Sequence, residues 1–347
     1  MTTAINPIEQ RLKQARKQRA WRWYRVVGFL LILVIALLLL TLSVGQSITP
    51  LSEVVAVILG EQVPGVSFVV GQLRLPRVLV ALLVGTSFGL AGAAFQIMLR
   101  NPLASPDIIG VSSGASAAAV FAIIMLNMSG GSVAVFSIFA GLMVTLTVFG
   151  LSFKHGSAGT RLILVGIGMA AKLESVIAYL LSQAQSWDLQ EAMRWLTGSV
   201  NSAQLMQVPL LCISVAVFGG LLLSRSKDLE VLRTGDETAQ ALGVKVNQTR
   251  LVVMLSAVGL IAVGVATTGP IAFVAFLSGP IAVRLIGNTG SALLPAGLIG
   301  ACLVMGGDYI GQFLLPNRYP VGVVTGALGA PYLIYLMIRT NRKGGSL

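Results

Sequence analysis

The chain has 347 residues, of which 55% are hydrophobic and only 10% charged, with a mean hydropathy of +0.87. A soluble domain carries about 25% charged residues, so this composition excludes a soluble globular protein and points to a polytopic membrane protein. The formal net charge of +12 could suggest nucleic acid, but the cations are sorted by position along the chain rather than gathered into one patch.

Residues 1–25 are polar and basic, with Arg11, Lys13, Arg16, Lys17, Arg19, Arg22 and Arg25. They read as a cytoplasmic tail, in the form of an amphipathic helix on anionic headgroups. Trp21, Trp23 and Tyr24 stand where an interfacial aromatic belt would lie. The apolar run that follows is too long for a signal-peptide core and lacks a small-residue cleavage site, so it reads as a first spanning helix. A span needs about 20 mostly apolar residues. Ten are expected, at 26–45, 77–98, 107–127, 131–153, 161–183, 204–223, 248–268, 270–286, 292–315 and 320–338, although hydropathy alone also allows nine or eleven. The eighth is short enough to be partly re-entrant. The expected fold is therefore all-α and membrane-spanning: a tail at 1–25, a transmembrane domain at 26–338 and a short cytoplasmic tail at 339–347.

Charge tests this topology. With the N-terminus inside, four of the 24 lysines and arginines lie outside (Arg74, Arg77, Arg194 and Arg318), one, Lys172, lies within a span, and all the rest lie on the cytoplasmic side. The positive-inside rule expects that asymmetry. It explains the basic balance without nucleic acid and leaves the outside arginines needing a reason.

Several motifs carry more than hydropathy. Arg74-Leu75-Pro76-Arg77 opens the second span, with proline where a helix's first turn tolerates it. Two outward arginines could meet carboxylates of a partner protein, or simply snorkel to the interface. A turn follows that span, Arg100-Asn101-Pro102-Leu103-Ala104-Ser105-Pro106, and then a small-residue helix from Gly110. Gly85/Gly89, Gly110/Gly114 and Gly322/Gly326 have the spacing of close helix packing. Between the sixth and seventh spans, Thr234 and Glu237 have capping-box spacing, and Gly243 is a natural stop. A short helix at about 234–243, or a merely amphipathic connecting loop, follows.

Lys172 and Glu174 fall at membrane depth, where ionisable groups are costly and face a cavity or a partner. Two residues apart, they project in different directions and do not pair with each other. They line a path or satisfy another helix. Asp308, in the ninth span, reads as a buried acid kept for a structural hydrogen bond.

Other chemistry is not visible. Cys212 and Cys302 sit in apolar runs and read as small hydrophobes. His155 is the single histidine, and no cluster has metal-ligand spacing. No Walker A, helical HExxH or nucleophile-elbow pattern occurs, so no catalytic or metal residue is assigned and no motif for ATP hydrolysis is seen.

The segment from Gln72 to Ala115 resembles the permease subunit of ABC importers for iron–siderophore, haem and cobalamin, the FecCD-type family, and the likeness recurs along nearly the whole chain. The resemblance implies ten helices. It implies that Arg74 and Arg77 receive acidic residues of a substrate-binding (lipo)protein. The family often carries a further arginine where Gln312 stands here, and Arg318 is a nearby substitute. It implies that Thr234, Gly235, Asp236, Glu237, Thr238, Ala239, Leu242 and Gly243 form a coupling helix seated in a cleft of an ATPase subunit. It implies that the fifth span, with Lys172 and Glu174, lines the central pathway. Asn101, Pro102, Pro106, Gly110, Asp308, Pro320 and Gly322 fit as structural motif positions. Near Arg284, Gly279-Pro280 replaces the family's usual Pro-His, so any role of that histidine is absent.

The implied assembly lies in a bacterial cytoplasmic membrane with both termini inside. It pairs the chain with a second permease, sister or self, and with ATPases that use ATP and magnesium, while this chain binds no cofactor. Tyr319-Pro320 and Gly279-Pro280 favour an iron(III)–siderophore over cobalamin or haem. A proton- or sodium-coupled secondary transporter would favour inverted repeats and broken helices with ion ligands; no clear repeat is seen and intramembrane acids are scarce. A membrane enzyme would need a catalytic cluster at one depth.

Overall fold

A computed structural model describes residues 7–152, 158–287 and 289–342. His155 and the C-terminal residues from 343 on lie outside the described residues. In a bilayer the backbone must satisfy its own hydrogen bonds, and helices do this within one segment. Every named element among the described residues is helical.

The order is α1 (Pro7–Ser43), α2 (Leu51–Ile58), α3 (Leu75–Leu99), α4 (Val111–Ile124), α5 (Gly131–Ser152), α6 (Ala158–Gln183) and α7 (Ser186–Leu196). Then come α8 (Val208–Ser214), α9 (Gly220–Ser224), α10 (Ser226–Leu232), α11 (Asp236–Ala241), α12 (Val246–Thr268), α13 (Val274–Ile286), α14 (Leu293–Tyr309) and α15 (Val321–Arg342). Single π turns lengthen α3 at its start and α14 at its end, and another joins α8 to α9. Among the described residues, seven helical stretches are long and apolar enough to cross a membrane, and three shorter apolar helices (α4, α13 and the start of α15) stand at the remaining three of the ten expected positions.

Some expectations need correction. The tail and the first span are one helix, beginning at Pro7. The third expected span, 107–127, breaks at Gly110, whose φ of +87 ends a 3-10 turn over Pro106–Ile109 before α4 starts. At 14 residues α4 is about 21 Å long, short of the roughly 30 Å hydrocarbon core. The eighth span likewise shrinks to the 13 residues of α13, preceded by non-helical backbone with Phe273 at φ +65.

The core forms where α3 lies against α12, α13 and α14. Small residues make this possible. A Cβ on Gly85 or Gly89 would overlap backbone of Gly300 or Ala296, and one on Gly92 would overlap the Ala275 carbonyl. A second close junction joins three distant segments. Ser199 N–H donates to Thr268 O at 2.7 Å, and Gly322 N–H donates to Gly198 O at 3.1 Å. Cβ atoms on Gly198, Gly269 and Gly322 would overlap carbonyls of Pro270, Trp195 and Thr197 respectively. Main chain meets main chain there with no room for a side chain.

Candidate functional site

Three groups of predicted residues lie at different places on this scaffold. The first is at the N-terminal end of α3. Arg74 is only 9% exposed. Its guanidinium donates to the carbonyls of Leu42 (2.8 Å), Ser43 (3.1 Å) and Ser47 (2.7 Å), and to the hydroxyls of Thr49 and Ser47. Arg74 thus does not face outward in this chain as expected: it ties down the turn after α1. That turn leaves helix-terminal carbonyls without intrahelical partners, and a forked donor satisfies several at once.

Arg77 makes a two-pronged pair with Asp308 of α14, Nε to Oδ2 and Nη2 to Oδ1, both at 2.6 Å. Its Nη2 also donates to Asn201 Oδ1 at 2.6 Å. The Asp308 side chain is 3% exposed and that of Arg77 19%. Charge-assisted two-pronged pairs are the strong kind, and stripping one partner from a buried pair costs about 3–5 kcal/mol. The expected structural hydrogen bond of Asp308 is thus to Arg77, and it joins α3 to α14. Gln312 also has a structural contact, donating to Tyr319 O at 3.2 Å. Arg318 is exposed in the loop before α15.

The second group is at the other end of α3. The helix stops because Arg100 turns left-handed, φ +51, with its N–H on Ile97 O at 3.1 Å. Asn101 N–H donates to Gln96 O, and Asn101 Oδ1 accepts from Leu103 N–H, so the turn is closed by its own polar groups. Ser105 accepts from Asp107 N–H at the start of the 3-10 turn. The buried Asp107 carboxyl accepts from the hydroxyls of Ser112 and Ser105. Gln96 Nε2 donates to Phe276 O of α13 at 2.9 Å.

Facing this turn is the segment 234–243. A helix is present there, but the expected capping box is not. The N-cap is Gly235, at φ +113, and Thr234 instead donates to Val231 O at 2.7 Å. Gly243 has the positive φ, +87, that its stop position requires. Glu237, Thr238, Leu242 and Gly243 are exposed, while Ala239 is buried against the body. Asp236 reaches two arginines: Arg100 Nη2 to Oδ1 at 3.1 Å, and Arg250 Nη2 to both oxygens, each at 2.9 Å. Asp228 of α10 accepts from Arg225 at 3.2 Å and from Thr249 at 3.3 Å. These half-exposed pairs are worth about 0.2–1 kcal/mol each, so apolar burial of Leu229 and Leu232 on α10 and of Ala239 on α11 holds α10–α11 down.

The third group is α6. Only 11% of its apolar window is buried in the chain, the least of the seven long spans. Lys172 and Glu174 are both exposed, about 200° apart around the helix. Gly168, Lys172, Ser175, Tyr179 and Ser182 are all exposed and share one face at helical spacing. The sequence reading singled out Lys172 and missed the stripe, which three- and four-residue spacing could have revealed. It also missed Asn201, Arg250 and the pairing of Arg100, whose partners are far away in sequence. Cys212 and Cys302 are free thiols.

A sequence profile of the FecCD transport family matches residues 32–339. The ferric enterobactin transport system permease protein FepG of Escherichia coli (strain K12) is 38% identical over 296 residues, covering 84% of this chain and 89% of the relative. The achromobactin transport system permease protein CbrC of Dickeya dadantii (strain 3937) is 36% identical over 318 residues, covering 90% and 91%. Among solved structures, a metal-chelate type ABC transporter in an inward-facing conformation superposes with a TM-score of 0.81 at 28% identity, covering 91% of this chain and 99% of that one.

Proposed function

Because the chain belongs to the FecCD transport family, we propose that it is the permease subunit of an ATP-driven importer that passes an iron(III)–siderophore across the bacterial cytoplasmic membrane. The observation that carries the substrate is agreement among relatives. Relatives matched over 89%, 91% and 99% of their own length are named for ferric enterobactin, achromobactin and iron(III) citrate.

In this reading the α3 C-terminal end and α10–α11 face the cytoplasm. The exposed residues Glu237, Thr238, Leu242 and Gly243 rest on an ATPase subunit, which supplies ATP and magnesium chemistry. The opposite end receives a substrate-binding protein. Arg318 and the exposed edge of Arg77 meet its carboxylates there, and Arg74 acts only by shaping the turn. The uncovered α6 supports a path shared with a second permease chain: charged and polar side chains at that depth are hydrated rather than set in lipid. Neither Lys172 nor Glu174 has an ion-pair partner among the described residues.

The test is uptake of iron-55 into proteoliposomes holding this chain, its sister chain and the ATPase. Catecholate, hydroxamate and citrate chelates run beside cobalamin and haem. Vanadate-sensitive, ATP-dependent uptake of an iron chelate is expected. Uptake of cobalamin or haem alone overturns the substrate. Iron uptake driven by a proton or sodium gradient without the ATPase overturns the class.

A further inference from the structure

We propose that Asp236 is the positioning residue of energy coupling, a carboxylate clasp that makes α11 and α3 move as one body. The proposal rests on the reading that residues 234–243 contact the ATPase, and goes beyond it by naming what the contact pulls on.

At six residues, α11 is too short to hold its own shape. Its N-cap glycine offers no side-chain bond, and glycines at positive φ flank it on both sides, Gly235 and Gly243. Such flanks let a short helix swing. Asp236 is the ion-pair tether from α11 to elements outside its own connection among the described residues. It gathers Arg100, at the end of α3, and Arg250, on the first turns of α12, onto one carboxylate.

What lies beyond Arg100 makes the tether directional. The left-handed Arg100 and the bonds of Asn101 and Gln96 fix its backbone to the last turn of α3 and to α13. The body of that span is 78% buried. About 35 Å away along the helix, Arg77 locks α3 to Asp308 and Asn201. A push on α11 therefore reaches the far end through a continuous buried helix closed at both ends by aspartate–arginine pairs. Without Asp236 the two arginines would face each other unscreened, and a push on α11 would rock it on its flanking glycines about the buried Ala239 instead of moving α3.

Because the clasp is half-exposed, its loss leaves the fold and the apolar seat of α11 in place. That separates positioning from docking. The experiment uses the full complex with spin labels at Gln72→Cys and Gln240→Cys in a background lacking Cys212 and Cys302. Label distance is read by double electron–electron resonance with and without ATP–vanadate. Iron-55 uptake of a catecholate chelate per ATP hydrolysed is read in the same preparations.

The native clasp should keep the 72–240 distance unchanged by nucleotide. Asp236→Asn should retain the ATPase, let that distance shift with nucleotide, and lower uptake per ATP by about fivefold or more, the lower edge of ordinary coupling between linked sites. Arg100→Gln should match it, and the double variant should be no worse than either single change. A nucleotide-dependent distance in the native clasp, or Asp236→Asn with both distance behaviour and uptake per ATP intact, overturns the proposal. Loss of the ATPase from Asp236→Asn also overturns it, by making Asp236 a docking residue. The ATPase contact itself fails separately, if a complex deleted for 234–243 keeps its full complement of ATPase.

Discussion

The spans containing α3 and α6 are both long, apolar and helical, yet 78% of one apolar window is buried and 11% of the other. Their glycines differ in the same sense. Side-chain atoms on Gly85, Gly89 or Gly92 would collide with backbone of α13 or α14, whereas one on Gly168 of α6 meets nothing within 4 Å. Hydropathy measures whether a helix can leave water; it says nothing of what it meets in the bilayer. Small residues whose Cβ position is occupied mark the scaffold, and polar residues at helical spacing mark the face kept for others.

The hold on α3 should fail most sharply at Asp308. Asp308→Ala leaves the half-buried Arg77 guanidinium with Asn201 alone and should cost about 3 kcal/mol, the lower end for a broken buried pair, read as a fall in the melting temperature of the detergent-solubilised protein. An unchanged melting temperature would mean that α3 is not held as described. Next, Gly92→Ala pushes a methyl into the Ala275 carbonyl and should destabilise by about 1–3 kcal/mol, as overpacking does.

The same exchange on the open helix, Gly168→Ala, should have the opposite sign. It should leave stability unchanged or raise it by up to about 1 kcal/mol, because alanine is the better helix former. Equal losses at both glycines would erase the distinction between the two spans. Smallest of all, Lys172→Ala and Glu174→Ala should each shift stability by no more than about 0.5 kcal/mol, as surface changes do. Cysteines placed singly at 172 and 174, without Cys212 and Cys302, should react differently with a membrane-impermeant thiol reagent. Failure of both to react in every nucleotide state would remove α6 from the pathway.

Much of the fold was legible because the bilayer demands runs of about 20 apolar residues; hydropathy alone left nine to eleven spans open, and the family resemblance set the number at ten. The short helices α2 and α7 were missed for the same reason, at eight and eleven residues. Gly110 stood in a recognised motif, but hydropathy does not stop at a left-handed residue, so α4 was drawn too long. Arg74 was misplaced because sequence shows the proline behind it and not the carbonyls of 42–47 that fold back over it. Thr234 and Glu237 have the right spacing for a capping box, and the turn hydrogen bond of Thr234 to Val231 won instead. The Asp236 clasp spans 136 residues to Arg100, a separation at which no local pattern survives.

The junction of Gly198, Gly269 and Gly322 has a consequence for biosynthesis. Its hydrogen bond from Gly322 to Gly198 cannot close until the chain has been made beyond residue 322. Until then the Gly198 carbonyl lacks that partner and the close main-chain packing of Gly322 on Thr197 is missing. The final helix therefore acts as a closing pin, and a chain interrupted before it should leave this seam open to a protease. Limited proteolysis of a chain ending at residue 319 should cut within 197–203, where the full chain resists; equal resistance of both would show that the seam closes without the pin.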